Sequence, residues 1–219
     1  MFNTEKYKNI CEELLPYNAK LIAVTKTKPV TDIETAIQNG QMLFGENYVQ
    51  ELVEKASDIS KNVQWHFIGN LQRNKVKQIA PFIHTVQTVD SIRLLQELDK
   101  YAVLNHRVIK VLLQVHIAKE ETKFGLSVPE VKQLVDDGVF QQCNNIRFVG
   151  LMGMATNTDD TTQVRSEFKQ LFGLYRSLSG AFDKDESPVL SMGMTSDYKI
   201  ALDEGSNMIR IGSALFGSR

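Results

Sequence analysis

Two rhythms of apolar residues alternate along this chain. Short runs rich in Val, Ile and Leu recur at Leu21–Val24, Met42–Asn47, Val63–Ile68, Phe82–Val89, Val108–Ile117, Ile146–Met154, Val189–Met192 and Met208–Ile211. Near-continuous apolar runs of this length fit strands buried on both faces. Between them apolar residues return at helical spacing, as in Ile33, Ala36 and Ile37, in Val49, Leu52, Val53 and Ala56, and from Val164 to Leu178. A basic helical stretch around Arg73 to Lys77 follows the Gly69-Asn70 turn, and residues 4–18 form a helix ahead of the first strand. Eight strands, each followed by helical sequence, predict a parallel sheet closed into a (β/α)8 TIM barrel of the α/β class. The pattern runs without a linker, so residues 1–219 are expected to form a single domain with an extra N-terminal helix.

Local signals place the helix starts. Thr31-Asp-Ile-Glu34 and Ser127-Val-Pro-Glu130 fit the capping-box pattern. Asp90 can cap the helix through Ile92, Leu94, Leu95 and Leu98, and Thr195 or Ser196 the helix that ends at Gly205. In a barrel all the C-terminal strand ends meet on one rim, where such folds carry their chemistry. The residues this brings together are Lys26, Asn47, His66, Lys123, Met152, Ser191 and Arg210.

Composition narrows the function classes. Of 219 residues 42% are hydrophobic and 23% charged, ordinary for a globular protein, and the formal net charge is -1. No global field therefore favours nucleic acid or an anionic membrane. Two cysteines, Cys11 and Cys143, do not support a disulfide framework or a zinc ribbon and suit a reducing compartment. The charged N-terminus lacks a signal-peptide core, and no run approaches a membrane span. The expected location is the cytoplasm. The four histidines have no H-E-x-x-H spacing, and Met152, Met154, Met192 and Met194 fit barrel-mouth packing better than metal ligation.

The chemistry concentrates on Lys26, the last residue of Leu21-Ile-Ala-Val-Thr-Lys before the Thr27-Lys28-Pro29 break. Burial disfavours a charged amine, and a neutral amine attacks an aldehyde to form a Schiff base. The alternative is a strand-end lysine whose ammonium reaches solvent. Lys28 is its rival, since parity two residues past a turn is not secure. The loops after the last two strands, Ser191-Met-Gly-Met-Thr-Ser196 and Gly212-Ser-Ala-Leu-Phe-Gly217, offer glycines for close backbone approach. They also carry the hydroxyls of Ser191, Thr195 and Ser213, at the corner where barrels often bind phosphate. Arg210 precedes Gly212 inside a strand and must point into the barrel mouth or pair with an acid.

These features resemble the fold-type III pyridoxal-phosphate (PLP) proteins, the alanine-racemase-like barrels, and more closely the small PLP homeostasis family. The matching segments are Ala23-Val-Thr-Lys-Thr-Lys-Pro29, Phe44-Gly-Glu-Asn-Tyr-Val-Gln-Glu51, Trp65-His-Phe-Ile-Gly-Asn-Leu-Gln72, Leu190-Ser-Met-Gly-Met194 and Ile209-Arg-Ile-Gly-Ser213. The resemblance implies pyridoxal 5'-phosphate as cofactor, with Lys26 as its Schiff-base lysine. It implies Ser191, Thr195, Gly212 and Ser213 as the phosphate cradle, Arg210 facing the pyridine nitrogen, and Asn47 and His66 near the cofactor. Which hydroxyl touches phosphate stays open, because Thr-Ser-Asp follows Met194 where family members often have Ser-x-Asp. An arginine keeps its proton and leaves the pyridine neutral, which weakens the electron sink. Racemases of this type add a β-domain whose tyrosine acts opposite the lysine, and this chain stops at Arg219. His66 and Tyr198 are the residues that can substitute for it.

The expected function is thus to hold PLP, exchange it with small amines or amino acids, and pass it to PLP-dependent apoenzymes in B6-vitamer and amino-acid homeostasis. No firm catalytic reaction is expected, and a monomer is. The alternatives are a low-activity PLP-dependent amino-acid racemase or lyase, and a cofactor-free Schiff-base aldolase acting on a sugar phosphate. A second PLP site at Lys28 or Lys123 stays open.

Overall fold

The computed structural model describes residues 1–59, 62–120 and 124–217. Helix α1 (Thr4–Leu14) and a tight turn (Leu15–Tyr17) lead into β1 (Lys20–Val24), α2 (Val30–Gln38), β2 (Leu43–Glu46) and α3 (Val49–Asp58). Then come β3 (Gln64–Phe67), the short α4 (Val76–Ile79), β4 (Thr85–Val89) and α5 (Ile92–Leu104). The second half holds β5 (Ile109–Val115), α6 (Val128–Asp136), β6 (Ile146–Gly153) and α7 (Thr161–Ser177). It closes with β7 (Val189–Ser191), α8 (Tyr198–Asp203), β8 (Met208–Ile211) and α9 (Ser213–Phe216). All eight strands are parallel, and β8 pairs back onto β1 with Arg210 opposite Ile22, closing the barrel.

Strand alternation divides the residues into two sets. On β1, Leu21 and Ala23 join the layer under the helices, where Ile33, Ala36 and Ile37 of α2 are buried as their spacing predicts. Each such side chain contributes roughly 1.5–3 kcal/mol by leaving water. Lys20, Ile22, Val24 and Lys26 face the barrel axis instead: Ile22 meets Gly45 there, Lys20 lines a cavity at the N-terminal end, and Val24 and Lys26 line one at the rim. A side chain at Gly45 would sit 2.8 Å from Ile22 Cγ2 and 2.9 Å from Ile68 Cδ1. Glycine is required where these two fill the barrel axis.

Caps follow the sequence at some helices and not at others. The capping box Ser127–Glu130 forms on α6 as expected. Helix α2 instead has Pro29 at its N-cap, which has no side-chain oxygen to accept from the first turn, so no side-chain cap forms. On α5 the cap is Ser91, accepting from Leu94 N at 3.3 Å, and not Asp90. On α8 the N-cap is Asp197, whose carboxylate accepts from Met194 N at 2.6 Å. Neither Thr195 nor Ser196 caps α8, so both hydroxyls line the rim cavity. No described helix is long and apolar enough to cross a membrane.

Candidate functional site at the barrel rim

The C-terminal strand ends surround a cavity of about 780 Å³. Lys26 stands in it two residues past the end of β1, half-buried, with no hydrogen-bond partner among the described residues. Lys28 also reaches the cavity wall, but its ammonium donates to the carbonyls of Phe216 and Gly217 at 3.1 and 3.0 Å. This difference separates the two rival lysines: Lys28 is committed to the end of α9, and Lys26 is not.

The turn that carries Lys26 is clamped from both sides. Lys55 on α3 is buried, and its Nζ donates to Thr25 O at 2.6 Å, Glu46 Oε1 at 2.7 Å and Glu51 Oε1 at 2.6 Å. Thr25 Oγ1 donates to Glu46 Oε1 at 2.6 Å, and Thr27 N–H donates to Glu51. Thr27 takes a left-handed φ of 64°, a conformation that costs about 1–2 kcal/mol outside glycine and needs such an anchor. Burial pushes the Glu46 carboxyl above its usual range, against the pull of Lys55 and Thr25. The residues on either side of Lys26 are therefore tied to one buried lysine.

Arg210 forms the opposite wall. It is buried, Nη1 donates to Ser191 Oγ at 2.6 Å and Nη2 to Gly153 O at 3.0 Å. Burial lowers its pKa to about 10, with Asp197 pulling it back, so it stays charged at neutral pH. Gly193 O accepts from Arg210 N at 3.0 Å, drawing the β7–α8 loop against β8. Gly193 has φ +97°, and a Cβ there would lie 2.9 Å from Tyr198 Cα. Thr195, Ser196, Gly212 and Ser213 complete this side, with Ser213 Oγ 3.3 Å from Thr195 Oγ1. Asn47 lies between the two walls; its Oδ1 is buried without a partner among the described residues.

Lys26, Asn47, Thr195, Arg210, Gly212 and Ser213 thus share one cavity. Other expected residues lie elsewhere. His66 sits one inward step below the rim, because β3 continues through Phe67 and it is Ile68 that reaches the cavity. It lines a separate cavity at the other end of the barrel. Ser191 is fully buried behind Arg210 and does not line the rim cavity; it holds the guanidinium instead. Met152 packs with Leu112 and Val149 inside the barrel. Tyr198 turns outward, its hydroxyl donating to Glu13 Oε2 at 2.7 Å. Lys123 lies outside the described residues. Lys55, Glu46 and Glu51 are the supporting residues that sequence reasoning missed, with Gln87, whose Oε1 accepts from Ser191 Oγ at 2.7 Å. Glu51 and Lys55 are four apart on α3, a spacing that does not by itself show that Lys55 is buried.

Three cations and no carboxylate line the cavity among the described residues, together with four hydroxyl residues, Thr27, Thr195, Ser196 and Ser213. That donor set suits an anionic ligand, and an uncommitted amine beside it suits an electrophilic one. Among the described residues no cluster of His, Cys, Asp and Glu could hold a metal ion.

The sequence model of the alanine racemase N-terminal domain matches residues 3–219. A pyridoxal phosphate homeostasis protein from Pasteurella multocida is 40% identical over 203 residues, covering 91% of this chain and 86% of that protein. The one from Homo sapiens is 36% identical over 211 residues, 91% of this chain and 76% of that protein. The chain belongs to the pyridoxal phosphate homeostasis protein family. Within the solved structures of similar proteins, PipY of Synechococcus elongatus with PLP bound superimposes with a TM-score of 0.88 at 30% identity, covering 98% of this chain and 99% of that one. The family's barrel accounts for the closed eight-stranded sheet, and the match runs through every rim segment described above.

Proposed function

We propose that the rim cavity holds pyridoxal 5'-phosphate, with Lys26 as the amine for the covalent link to its aldehyde. The observation that carries this is an unpartnered, half-buried lysine in a cavity lined by cations and hydroxyls. The residues present fit the group. The volume of about 780 Å³ lies in the range of cofactor sites. Thr195, Ser196, Gly212 and Ser213 would receive the phosphate, and Asn47 Oδ1 is a buried acceptor in need of a donor. Two relatives named for pyridoxal phosphate homeostasis and a PLP-bound structural neighbour support the same assignment.

Bound PLP supplies an electron sink for amino-acid carbanions, tuned by the group at its ring nitrogen. Here Arg210 would face that nitrogen as a donor that stays charged, held by Ser191 and Gly153. A fixed cation there supports holding the cofactor over strongly activating it. The outward turn of Tyr198 and the depth of His66 leave neither to act as a proton donor beside Lys26. The protein, one unit over residues 1–219, is therefore read as a reversible PLP carrier in B6-vitamer and amino-acid homeostasis. It releases PLP to small amines, amino acids or PLP-dependent apoenzymes.

Titration of the purified protein with PLP tests this. One equivalent should bind with a visible absorbance band that Lys26→Ala loses, and apo PLP enzymes mixed with the loaded protein should regain activity. A protein that takes up no PLP would overturn the assignment. Rapid turnover of a chiral amino acid by the loaded protein would overturn the carrier reading and favour a racemase or lyase.

A further inference from the structure

At the end of the barrel opposite Lys26, a second cavity of about 110 Å³ lies among the N-terminal ends of the strands. No described residue lines both cavities. Lys20, Lys110, His66 and His84 line this one, and Glu186 is the sole carboxylate of its described wall, paired with Lys110 at 2.7 Å. Two lysines against one glutamate leave the wall with net positive charge.

A directed chain of hydrogen bonds fixes the tautomer of His66, which lines this space. Arg210 has only donors, so Ser191 Oγ accepts from it and uses its own proton to donate to Gln87 Oε1 at 2.7 Å. That orients the Gln87 amide, whose Nε2 donates to His66 Nδ1 at 3.0 Å. An imidazole accepting at Nδ1 carries its proton at Nε2. His66 is 2% exposed, and Nε2 has no partner among the described residues. A buried N–H without an acceptor is costly, and the occupant that answers it must offer lone pairs.

We propose that this cavity binds a small monovalent anion of formate or chloride size, held by His66 Nε2–H between the ammonium groups of Lys20 and Lys110. His66 would donate without adding charge: burial holds His66 at about 3 and its neighbour His84 at about 4, both neutral at pH 7. The volume admits about three or four water-sized molecules, at ~30 Å³ each. It therefore takes a small anion with one or two waters and excludes an aromatic cofactor.

The test is an NMR titration of the histidine rings in the full chain with sodium formate, at ionic strength held constant with a bulky sulfonate. The His66 ring signals should shift saturably, with half-saturation in the millimolar range. Exposed His106 should stay put. Lys20→Gln and Lys110→Gln should each raise the half-saturating concentration at least fivefold, and Lys199→Gln should leave it unchanged. A shift that is linear, or matched by His106, or indifferent to Lys20→Gln would mean that only water fills the cavity, and would overturn the proposal. Lys20 lies at the exposed start of β1, so its titration decides even if the Lys110 variant does not fold.

Discussion

Replacing Lys55 by methionine keeps the length of the side chain and removes the ammonium that ties α3 to the residues around Lys26. The Lys55 side chain is 6% exposed and makes three hydrogen bonds of 2.6–2.7 Å. Without it the Glu46 carboxylate is left buried. Its Oε2 already has no partner among the described residues, and Oε1 would keep only Thr25 Oγ1. Breaking a buried pair by removing one member costs about 3–5 kcal/mol. At about 2–4 °C per kcal/mol for a chain of this size, Tm should fall by roughly 10 °C. The loss should also depend on pH. Glu46 titrates above the unfolded value of 4.5, so the folded state prefers its protonated form. Stability from this group is therefore fully present below 4.5 and declines as pH rises through the folded value. Removing Lys55 widens that window upward, so the deficit against wild type should be smaller at pH 5 than at pH 8. Circular-dichroism melts at both pH values measure this, and PLP titration of the same protein should show weakened binding because Thr25 and Thr27 lose their anchor. Glu46→Gln combined with Lys55→Met should recover most of the stability. A single variant that melts like wild type, an equal deficit at both pH values, or a double variant no better than the single would refute the reasoning.

Ser213→Ala removes one hydroxyl from an exposed position; a hydrogen bond to a charged group contributes about 1.5–3 kcal/mol, so PLP affinity should fall roughly 10- to 100-fold with Tm unchanged. Gly193→Ala places a Cβ 2.7 Å from Ala201 Cβ at φ +97°, and strain plus overpacking should cost about 2–4 kcal/mol in denaturant melts. His66 and His84 are held at about 3 and about 4, below the ordinary 6.5, so the stability they contribute is present above pH 6.5 and lost as pH falls toward those values. His66→Gln should flatten that acid limb of the Tm–pH curve, and an unchanged slope would show that His66 does not titrate there.

The barrel was legible because its period is written in every strand. Runs such as Val108–Ile117 and Ile146–Met154 are apolar enough to be buried on both faces, and β5 and β6 form inside them. The position of Lys26 at the rim was legible from the turn that follows it. Depth along a strand was not, since periodicity gives a face but not a level. His66 and Ile68 share the inward face of β3, and only the register, with Glu46 opposite Phe67, shows that Ile68 stands at the level of Asn47. The depth of Ser191 was hidden for the same reason: it is buried behind Arg210, whose guanidinium it accepts from. The Lys55 cluster was hidden because Glu46, Glu51 and Lys55 meet through the packing of α3 on β2, which no local pattern encodes. Caps were legible only where one residue could serve: Ser127 had no competitor, whereas Asp90 stood beside Ser91 and Thr195 near Asp197.

The central claim is that Lys26, and not Lys28, holds the cofactor. Borohydride reduction of the PLP-loaded protein, followed by peptide mapping, addresses it directly. The account predicts loss of the visible band and a pyridoxyl group on Lys26 alone, since Lys28 is occupied by the carbonyls of Phe216 and Gly217. A pyridoxyl group on Lys28 with Lys26 unmodified would contradict it.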